Sequence, residues 1–268
     1  MSHLDRYKFV FLCGLHRSGT SPLFRMLREH PDISGFRNTG VPEDEGQHLQ
    51  TVIPAAKFFG GPGHFGFAPK AHLTEGSHLA NVETGERLFK EWSKYWSLAR
   101  PCLLEKSPPN LIRTRFLQTL FPSCYFVVIL RHPIAVSLAT AKWTDSTLGA
   151  LMAHWVHCHK LFENDRPYLR NIIVIKYEDL ICGTQKQLDK IYKFIDLAPL
   201  HSTPLDAAGN QRYFEAWRRL SIENKPSFEQ IVTKYESEIQ RYGYSLLDYE
   251  PAVPVGVPLR SGAITARP

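Results

Sequence analysis

A buried strand that runs directly into a glycine-bounded loop and then a helix is the feature that most constrains this chain. Residues 7–13 form a compact apolar run that ends at Gly14, which is typical of a buried strand. Residues 22–30 carry apolar side chains at helical spacing, and a proline follows them. The loop between, residues 14–21, therefore lies at the carboxyl end of a strand and the amino end of a helix.

Strands and helices alternate along the chain as far as about residue 195. Residues 124–130 are all apolar or aromatic, as expected of a central parallel strand. Shorter runs predict strands at residues 102–106 and 171–177. Helical spacing predicts helices over residues 84–99, 109–120, 133–143, 148–164 and 185–195. This alternation indicates an α/β fold with a central parallel sheet and helices on both faces.

We interpret residues 1–268 as a single domain, because the length suits one large α/β domain. Two segments interrupt the periodic pattern. Residues 35–80 are irregular and rich in histidine, and such long excursions are often functional. Residues 249–268 are rich in Pro and Gly and show no periodic element.

Composition narrows the classes of partner. The net charge of +6 permits an anionic ligand. The sequence contains no run of five basic residues, which argues against a nucleic-acid tail and a polybasic membrane anchor. No segment reaches the roughly 18 apolar residues of a membrane span. The five cysteines are odd in number and never spaced C-x-x-C, which disfavours a disulfide framework or a zinc site. We expect a reducing, cytoplasmic location.

The loop of residues 14–21 has the composition of an anion site. Glycine lets the backbone approach a ligand closely, and the start of a helix presents unpaired N–H groups and a positive dipole end. Hydroxyls of Ser18, Thr20 and Ser21 add donors, and Arg17 adds a charged fork. Such a site binds phosphate or sulfate. The alternative is a strand–helix turn with incidental glycines.

The same loop argues against phosphoryl transfer. A nucleotide triphosphatase loop would read G-x-x-x-x-G-K-[ST]. Here the two glycines have that spacing, but Thr20 occupies the lysine position. No strand ends convincingly in an Asp suited to Mg²⁺. A kinase or ATPase is therefore poorly supported.

Two further motifs follow the loop, each at a strand end. Residues 129–133 read Ile-Leu-Arg-His-Pro and precede a helix, and residues 176–180 read Lys-Tyr-Glu-Asp-Leu. With the loop, they resemble the sulfotransferases that use 3′-phosphoadenosine-5′-phosphosulfate (PAPS), of bacterial type and with likeness to the tyrosylprotein enzymes. The resemblance covers about residues 8–195. It implies a P-loop-like three-layer fold, PAPS as co-substrate with PAP as product, and no metal.

The resemblance assigns donor-binding roles to individual residues. Arg131 would pair with the 3′-phosphate, and its alternative role is a structural ion pair with Glu105 or Glu178. Tyr177 would touch the donor from its strand end, or else be a core aromatic. The loop residues that would cradle the 5′-phosphosulfate and line its site are His16, Arg17, Ser18, Gly19, Thr20 and Ser21.

The sequence departs from the family pattern at Ala139. The family usually has a serine eight residues after the 3′-phosphate arginine. The nearest hydroxyls here are Ser137 and Thr140, and on a helix Ser137 lies nearly opposite residue 139. We choose Ser137 as the second 3′-phosphate ligand because it is nearer the start of the helix.

Sulfuryl transfer needs a cation near the leaving oxygen, since positioning and electrostatics dominate such reactions. Arg17 in the loop is one candidate. Lys106, at the end of the predicted strand 102–106, is the other, because the tyrosine-acting enzymes have a lysine after a strand in the corresponding stretch. A solvated lysine is the alternative interpretation of Lys106.

An acceptor hydroxyl also needs a general base. Residues 42–48 offer three adjacent acids, and their mutual repulsion is expected to raise the pKa of one of them. Glu43 is our first choice, with Glu45 and His48 behind it. The tyrosine-acting enzymes have their base nearer the position of Asn38. The alternative is that these acids cap a helix or face water.

The acceptor itself is not identified by the sequence. We expect residues 38–80 to form much of its pocket. Their aromatic side chains would suit an apolar, aromatic or sugar-bearing molecule, so a small molecule, glycan or lipid is expected, and no nucleic acid or stable membrane insertion. These aromatic residues are Phe58, Phe59, Phe65 and Phe67.

Three late or scattered features complete the prediction. Residues 210–217 could fold back over the donor, and residues 260–262 could serve the 3′-phosphate. His154, His157 and Cys158 fall near one helical face, but no acidic partner completes a metal site. The alternative functions are a P-loop-type phosphoryl-transfer enzyme and a non-catalytic protein that binds PAP or another nucleotide.

Overall fold

A five-stranded sheet runs through the computed structural model, which describes residues 6–249. Neighbouring strands are parallel, in the spatial order β2-β3-β1-β4-β5. The strands are β1 (Lys8–Cys13), β2 (Ile33–Gly35), β3 (Cys102–Lys106), β4 (Cys124–Leu130) and β5 (Ile172–Lys176). The predicted parallel sheet is confirmed.

Helices connect the strands and cover the sheet. Strands β1, β3 and β4 are buried at nearly every position, so both faces of the sheet are covered, as predicted for a three-layer fold. The α-helices are α1 (Thr20–Leu27), α2 (Val82–Trp92), α3 (Thr114–Leu120), α4 (Pro133–Thr140), α5 (Leu148–Asp165), α6 (Tyr177–Cys182), α7 (Thr184–Phe194), α8 (Gln211–Glu223) and α9 (Lys225–Gln240).

The strand order places the carboxyl ends of β3, β1 and β4 side by side. In register, Leu12 of β1 lies opposite Lys106 of β3, and Leu130 of β4 lies opposite Lys176 of β5. After β1 the chain forms β2 and β3 on one side of β1 and then crosses to β4 and β5 on the other side. Ligands of open α/β sheets bind at such a switch point, outside the carboxyl ends of the strands.

Several boundaries differ from the sequence prediction. The predicted helix over 84–99 ends at Trp92, and the one over 109–120 begins as the 3₁₀ helix Pro108–Ile112 before α3. Two adjacent prolines lack the N–H groups that helical turns need. The short strand β2 and the helix α6 were not predicted, so Tyr177 begins a helix and does not end a strand.

The long excursion after β2 is built from short 3₁₀ helices, and no α-helix occurs in its described residues before α2. These 3₁₀ helices are Pro42–Asp44, Gly46–His48, Ala56–Phe59, Phe65–Phe67 and Pro69–Ala71. The predicted tail, with the proposed 3′-phosphate segment 260–262, lies outside the described residues apart from residue 249. Within residues 6–249, no helix is long and apolar enough to cross a bilayer.

Candidate active site

The loop after β1 turns into α1 at a glycine that no other residue could replace without strain. Gly19 has φ 98°, and a Cβ there would lie 2.4 Å from Cδ2 of Tyr177. The free amides of the first turn of α1 therefore remain open to a ligand. Ser18 is committed inside the loop, because its N–H and its hydroxyl both donate to the Leu15 carbonyl, at 3.1 and 2.6 Å. The hydroxyl of Ser18 braces the loop and is not offered to the cleft.

Arg17 is the charged group of this loop. Its backbone adopts a left-handed φ of 67°, and its carbonyl accepts a 2.8 Å hydrogen bond from Arg131. Its guanidinium stacks 4.6 Å from the ring of Trp143, and its buried Nε has no partner among the described residues. Beside it, burial lowers the pKa of His16 to about 3, with the charge of Lys106 acting in the same direction. The His16 ring is therefore neutral at pH 7.

Lys106 is buried, so the interpretation as a solvated lysine is wrong. Its side chain is 0% exposed at the end of β3. Its Nζ donates to Glu45 Oε1 at 3.1 Å and to Ser21 Oγ at 3.4 Å. A buried ammonium needs such a partner, because an unpaired charge in the interior is strongly destabilising. The pair brings a cation and a carboxylate into contact with the anion-binding loop.

Gln47 fixes the other oxygen of Glu45. Its Nε2 donates to Glu45 Oε2 at 2.5 Å, and its Oε1 accepts from the backbone N–H of Ala56 at 2.8 Å. Its own N–H donates to Ser107 Oγ at 2.8 Å. The side-chain amide of Gln47 thus joins the carboxylate to the excursion, and its backbone N–H ties both to the end of β3. Sequence reasoning missed Gln47, since no local pattern marks it.

The three adjacent acids do not crowd together. Glu43 is half-exposed at the rim of the cleft, with Oε2 4.0 Å from Arg25. Asp44 turns the other way, to Arg28 at 3.0 Å. Burial raises the pKa of Asp44, but hydrogen bonds from Thr39 and the charge of Arg28 outweigh it, so the pKa lies below its ordinary value. The expected repulsion between these acids is therefore wrong.

His48 stands beside the Lys106–Glu45 pair. Its Nε2 lies 3.8 Å from Glu45 Oε2. Burial lowers the pKa of His48; the carboxylate of Glu45 opposes this shift, and the cations of Lys57 and Lys106 reinforce it. His48, Glu45 and Glu43 line the same cleft, whereas Asn38 does not.

Arg131, directly after β4, makes contacts with three segments. Its Nε donates to Asn210 Oδ1 and its other nitrogens to the carbonyls of Gly209 and Arg17, each at 2.8 Å. Its guanidinium stacks 4.2 Å from the ring of Tyr177. Three of its five N–H donors are thus used, which leaves two.

The alternative role of Arg131, an ion pair with Glu105 or Glu178, is not formed in the described part of the chain. Asn210 stands between Arg131 and Glu178, and donates to Glu178 Oε1 at 2.6 Å. The segment before and at the start of α8 therefore lies against the strand ends, where residues 210–217 were expected to fold back.

Ser137 does not reach the cleft that Arg131 lines. Its buried Oγ has no partner among residues 6–249, and it lines a separate small cavity with His16 and Thr140. The helix α4 begins at Pro133, and neither Ser137 nor Thr140 is among the residues that line the cleft. The choice of Ser137 as a 3′-phosphate ligand is therefore contradicted. Arg212 lines the cleft instead and donates to the hydroxyl of Tyr213 at 2.8 Å.

The loop after β1, the segment around Glu45, Arg131 and Arg212 line one cleft of about 880 Å³ along the carboxyl edge of the sheet. The fully buried Lys106 contacts this lining through Glu45 and Ser21. The excursion contributes one wall, as predicted, but through Gln47, His48, Ala56 and Lys57. Its four phenylalanines do not line the cleft, and Phe65 is fully buried. The aromatic acceptor wall predicted from them is therefore wrong, and the aromatic ring that lines this side is Trp143.

The histidine-rich face of α5 is occupied by structural contacts. His154 Nε2 accepts from the N–H of Gly66 at 3.1 Å and lies 3.4 Å from Cys158 Sγ. Burial lowers the pKa of His154 to about 3. In the part of the chain that the structure describes, no three His, Cys, Asp or Glu side chains are arranged to hold a metal ion.

Comparisons with known proteins agree with this geometry. The sequence model described as "Sulfotransferase family" matches residues 10–201, which include the loop, Lys106, Arg131 and Tyr177. The sulfotransferase domain from the curacin biosynthetic pathway is 16% identical with a TM-score of 0.52, over 91% of this chain and 98% of that one. Sulfotransferase STF1 from Mycobacterium tuberculosis H37Rv is 14% identical with a TM-score of 0.53, over 79% and 72%. At these identities the two structures show a shared fold. Among curated proteins, no sequence matches this chain.

Proposed function

The chain belongs to the sulfotransferase family, and from this premise we propose that it moves a sulfuryl group from PAPS to a hydroxyl or amine of its acceptor. The acceptor we propose is a small molecule, a glycan or a lipid. The single observation that carries the proposal is the convergence of three strand ends on one cleft. They bring an anion-binding loop, Arg131 and the Lys106–Glu45 pair together.

The residues present fit a donor with two anionic ends. The open amides at the start of α1 and the unpartnered Nε of Arg17 suit the 5′-phosphosulfate. The two unused donors of Arg131 suit the 3′-phosphate, and Arg212 offers a second guanidinium on that side of the cleft. We therefore propose Arg212 in the place that sequence reasoning gave to Ser137.

We propose that Arg17 and Lys106 stabilise the negative charge that develops during sulfuryl transfer. When bound, PAPS supplies an activated sulfuryl group whose leaving phosphate gains negative charge during transfer. Lys106 Nζ touches Ser21 at the start of α1, so its charge is held next to the anion-binding loop. A preorganised cation in a buried site stabilises developing charge without reorganisation. We therefore propose that Lys106 acts on the transition state more than on donor binding.

We assign the general base to Glu45. It is the only one of the three neighbouring acids that contacts both Lys106 and the amide that anchors the excursion. Glu43 lies at the rim beside Arg25, away from that pair. His48, a neutral imidazole next to Glu45, can accept the proton onward.

Isothermal titration with PAP, ATP and ADP tests the donor assignment. We expect PAP to bind at least tenfold more tightly than ATP, because Arg131 and Arg212 recognise the 3′-phosphate. Arg17→Ala and Arg212→Met should each weaken PAP binding about tenfold or more. Ser137→Ala, the matched control on α4, should leave it unchanged. Equal affinity for ATP and PAP would favour a phosphoryl-transfer enzyme, and PAP binding without turnover of labelled PAPS would favour a binding protein.

A further inference from the structure

Positively charged side chains outnumber acidic side chains among the residues that line the cleft. Each of its acidic side chains has a hydrogen-bonding or ionic partner within the protein. These pairs are Glu43 with Arg25, Glu45 with Lys106, Asp206 with the N–H of Ala208, and Glu215 with Gln211. Glu43 and Glu45 are neutralised by these cations, whereas Asp206 and Glu215 bond to neutral groups and keep their charge. Against these two charges the lining side chains offer four further cations, Arg17, Lys57, Arg131 and Arg212. An excess of positive charge remains in the cleft.

Three of the remaining cations belong to the donor end. Arg17 lies in the loop after β1, and Arg131 and Arg212 lie together at the β4 end. Lys57 does not lie with them. It is exposed on the excursion side of the cleft, and no ion pair to it forms within residues 6–249. Its Nζ lies 5.3 Å from the centroid of the Phe58 ring. Its charge adds to the burial that lowers the pKa of His48, so a cation without an ion pair stands near the proposed base.

The segment that carries Lys57 is fixed relative to the base. The N–H of Ala56 donates to Gln47, whose amide also holds Glu45. On the other side, the carbonyl of Pro54 accepts a 2.9 Å hydrogen bond from the buried Arg113. Lys57 is therefore presented from an anchored 3₁₀ turn at a set position from Glu45. That anchoring distinguishes it from an ordinary surface lysine.

We propose that the acceptor of this enzyme carries an anionic group, a carboxylate or a phosphate, that pairs with Lys57 while its hydroxyl or amine faces Glu45. This inference rests on the proposed function and names its substrate class. The cleft is also lined by Ala56, Pro62 and Trp143, which suit an uncharged carbon frame or the face of a ring. A neutral acceptor would offer the Lys57 ammonium no ion pair.

The test measures acceptor binding to the enzyme saturated with PAP, so that the donor loop is filled and no turnover is required. The probes are two pairs of an anionic and a neutral molecule: 4-hydroxyphenylacetate with its nearly isosteric amide, and glucose 6-phosphate with glucose, which lacks the phosphate group. Titrations are run on the wild type, on Lys57→Met and on Lys70→Met. Lys70 is the matched control, because it is exposed on the same excursion but does not line the cleft.

We expect the wild type to bind the anionic member of at least one pair about tenfold more tightly than the neutral member. Lys57→Met should abolish that preference, Lys70→Met should retain it, and PAP affinity should change less than threefold in both. The proposal is overturned if neither pair shows an anion preference, or if the preference survives in Lys57→Met. If PAP itself fails to bind, the donor assignment fails. The Lys57 comparison is then made without PAP on the Arg17→Ala background, which weakens the anion site of the loop.

Discussion

The donor edge of the cleft and its excursion wall are built by different means. The donor edge consists of the loop after β1 and the residues after β4, each placed by a buried strand of the parallel sheet. The excursion wall, residues 36–80, has 3₁₀ turns held by side chains that bond to distant backbone groups. The first is positioned by regular structure and the second by individual polar contacts. We therefore expect substitutions to separate donor binding from acceptor chemistry.

The two regions meet at the end of β3. Lys106 reaches Glu45 from there, and Ser107 accepts the N–H of Gln47. The indole of Trp92 also donates to the carbonyl of Gly46 at 2.9 Å. The proposed transfer chemistry lies at this junction and belongs to neither region alone. Its residues should affect turnover more than they affect binding of either substrate.

Lys106→Met should give the largest effect. We expect turnover to fall about a thousandfold, which is the upper range for removing one preorganised charge-stabilising donor. Affinity for PAP should change less than threefold, because Arg17 and Arg131 remain. Steady-state kinetics and PAP titration measure the two quantities. Thermal unfolding at pH 7 is the control, since Glu45 loses its partner. Parallel losses in turnover and PAP affinity would contradict a role confined to the transition state.

Glu45→Gln should reduce turnover about a hundredfold, the lower range for loss of a general base. Glu43→Gln, the neighbouring matched control, should reduce it less than threefold, because Glu43 pairs with Arg25 at the rim. Both variants should bind PAP as the wild type does. A reversed order of the two effects would restore Glu43, the first choice from the sequence, and would move the chemistry from the junction to the rim.

The donor edge was largely predictable from the sequence, because its signals are local. The anion-binding loop follows an apolar run that ends at Gly14, and Arg131 follows another, so the sequence places both at strand ends. Parallel strands bring such ends together at one edge of the sheet. The family resemblance gave Lys106, and its burial agrees with a functional role. Ser137 was wrong although α4 begins at Pro133 as predicted, because the choice rested on nearness to the start of the helix and not on which helical face meets the cleft.

The excursion wall was not predictable in the same way. Glu43, Asp44 and Glu45 are adjacent, and only the fold decides which one meets Lys106. The turn that separates them has left-handed backbone at Glu43 and Asp44, with φ of 53° and 51°. Neither residue type requires that conformation. Gln47 acts through partners that lie 2, 9 and 60 residues away along the chain, which no local pattern reveals.

Gln47→Glu tests the excursion wall separately from the donor edge, because the substituted side chain contacts only the excursion and Glu45. A second carboxylate 2.5 Å from Glu45 Oε2 would disfavour the ionised base. We expect about a tenfold loss of kcat/KM near pH 6, recovered toward pH 9, so that the acid limb of the profile moves to higher pH. Gln50→Glu is the control, since Gln50 makes comparable local bonds to Val52 and Ile53 but none to Glu45. A uniform loss at all pH values would indicate a structural role only.

Glu105 offers the smallest effect on turnover and the clearest effect on stability. Its buried carboxyl accepts hydrogen bonds from Ser107 and Asn110, each at 2.5 Å, and packs against Gly46. Burial raises its pKa from 4.5 to about 7; hydrogen bonds from these two residues oppose the shift, and the charge of Glu45 adds to it. The folded protein thus retains a proton here, between those pH values, that the unfolded chain has released.

The free energy of unfolding should therefore fall as the pH rises from 4.5 to about 7, by up to roughly 3 kcal/mol from this group. Glu105→Gln should remove that part of the slope and leave turnover within threefold, because the amide keeps the Ser107 contact that supports Gln47. Urea unfolding of both proteins at pH 5 and pH 8 measures the difference. An unchanged slope would show that Glu105 is ionised throughout, and the junction would then hold two carboxylates against the single charge of Lys106.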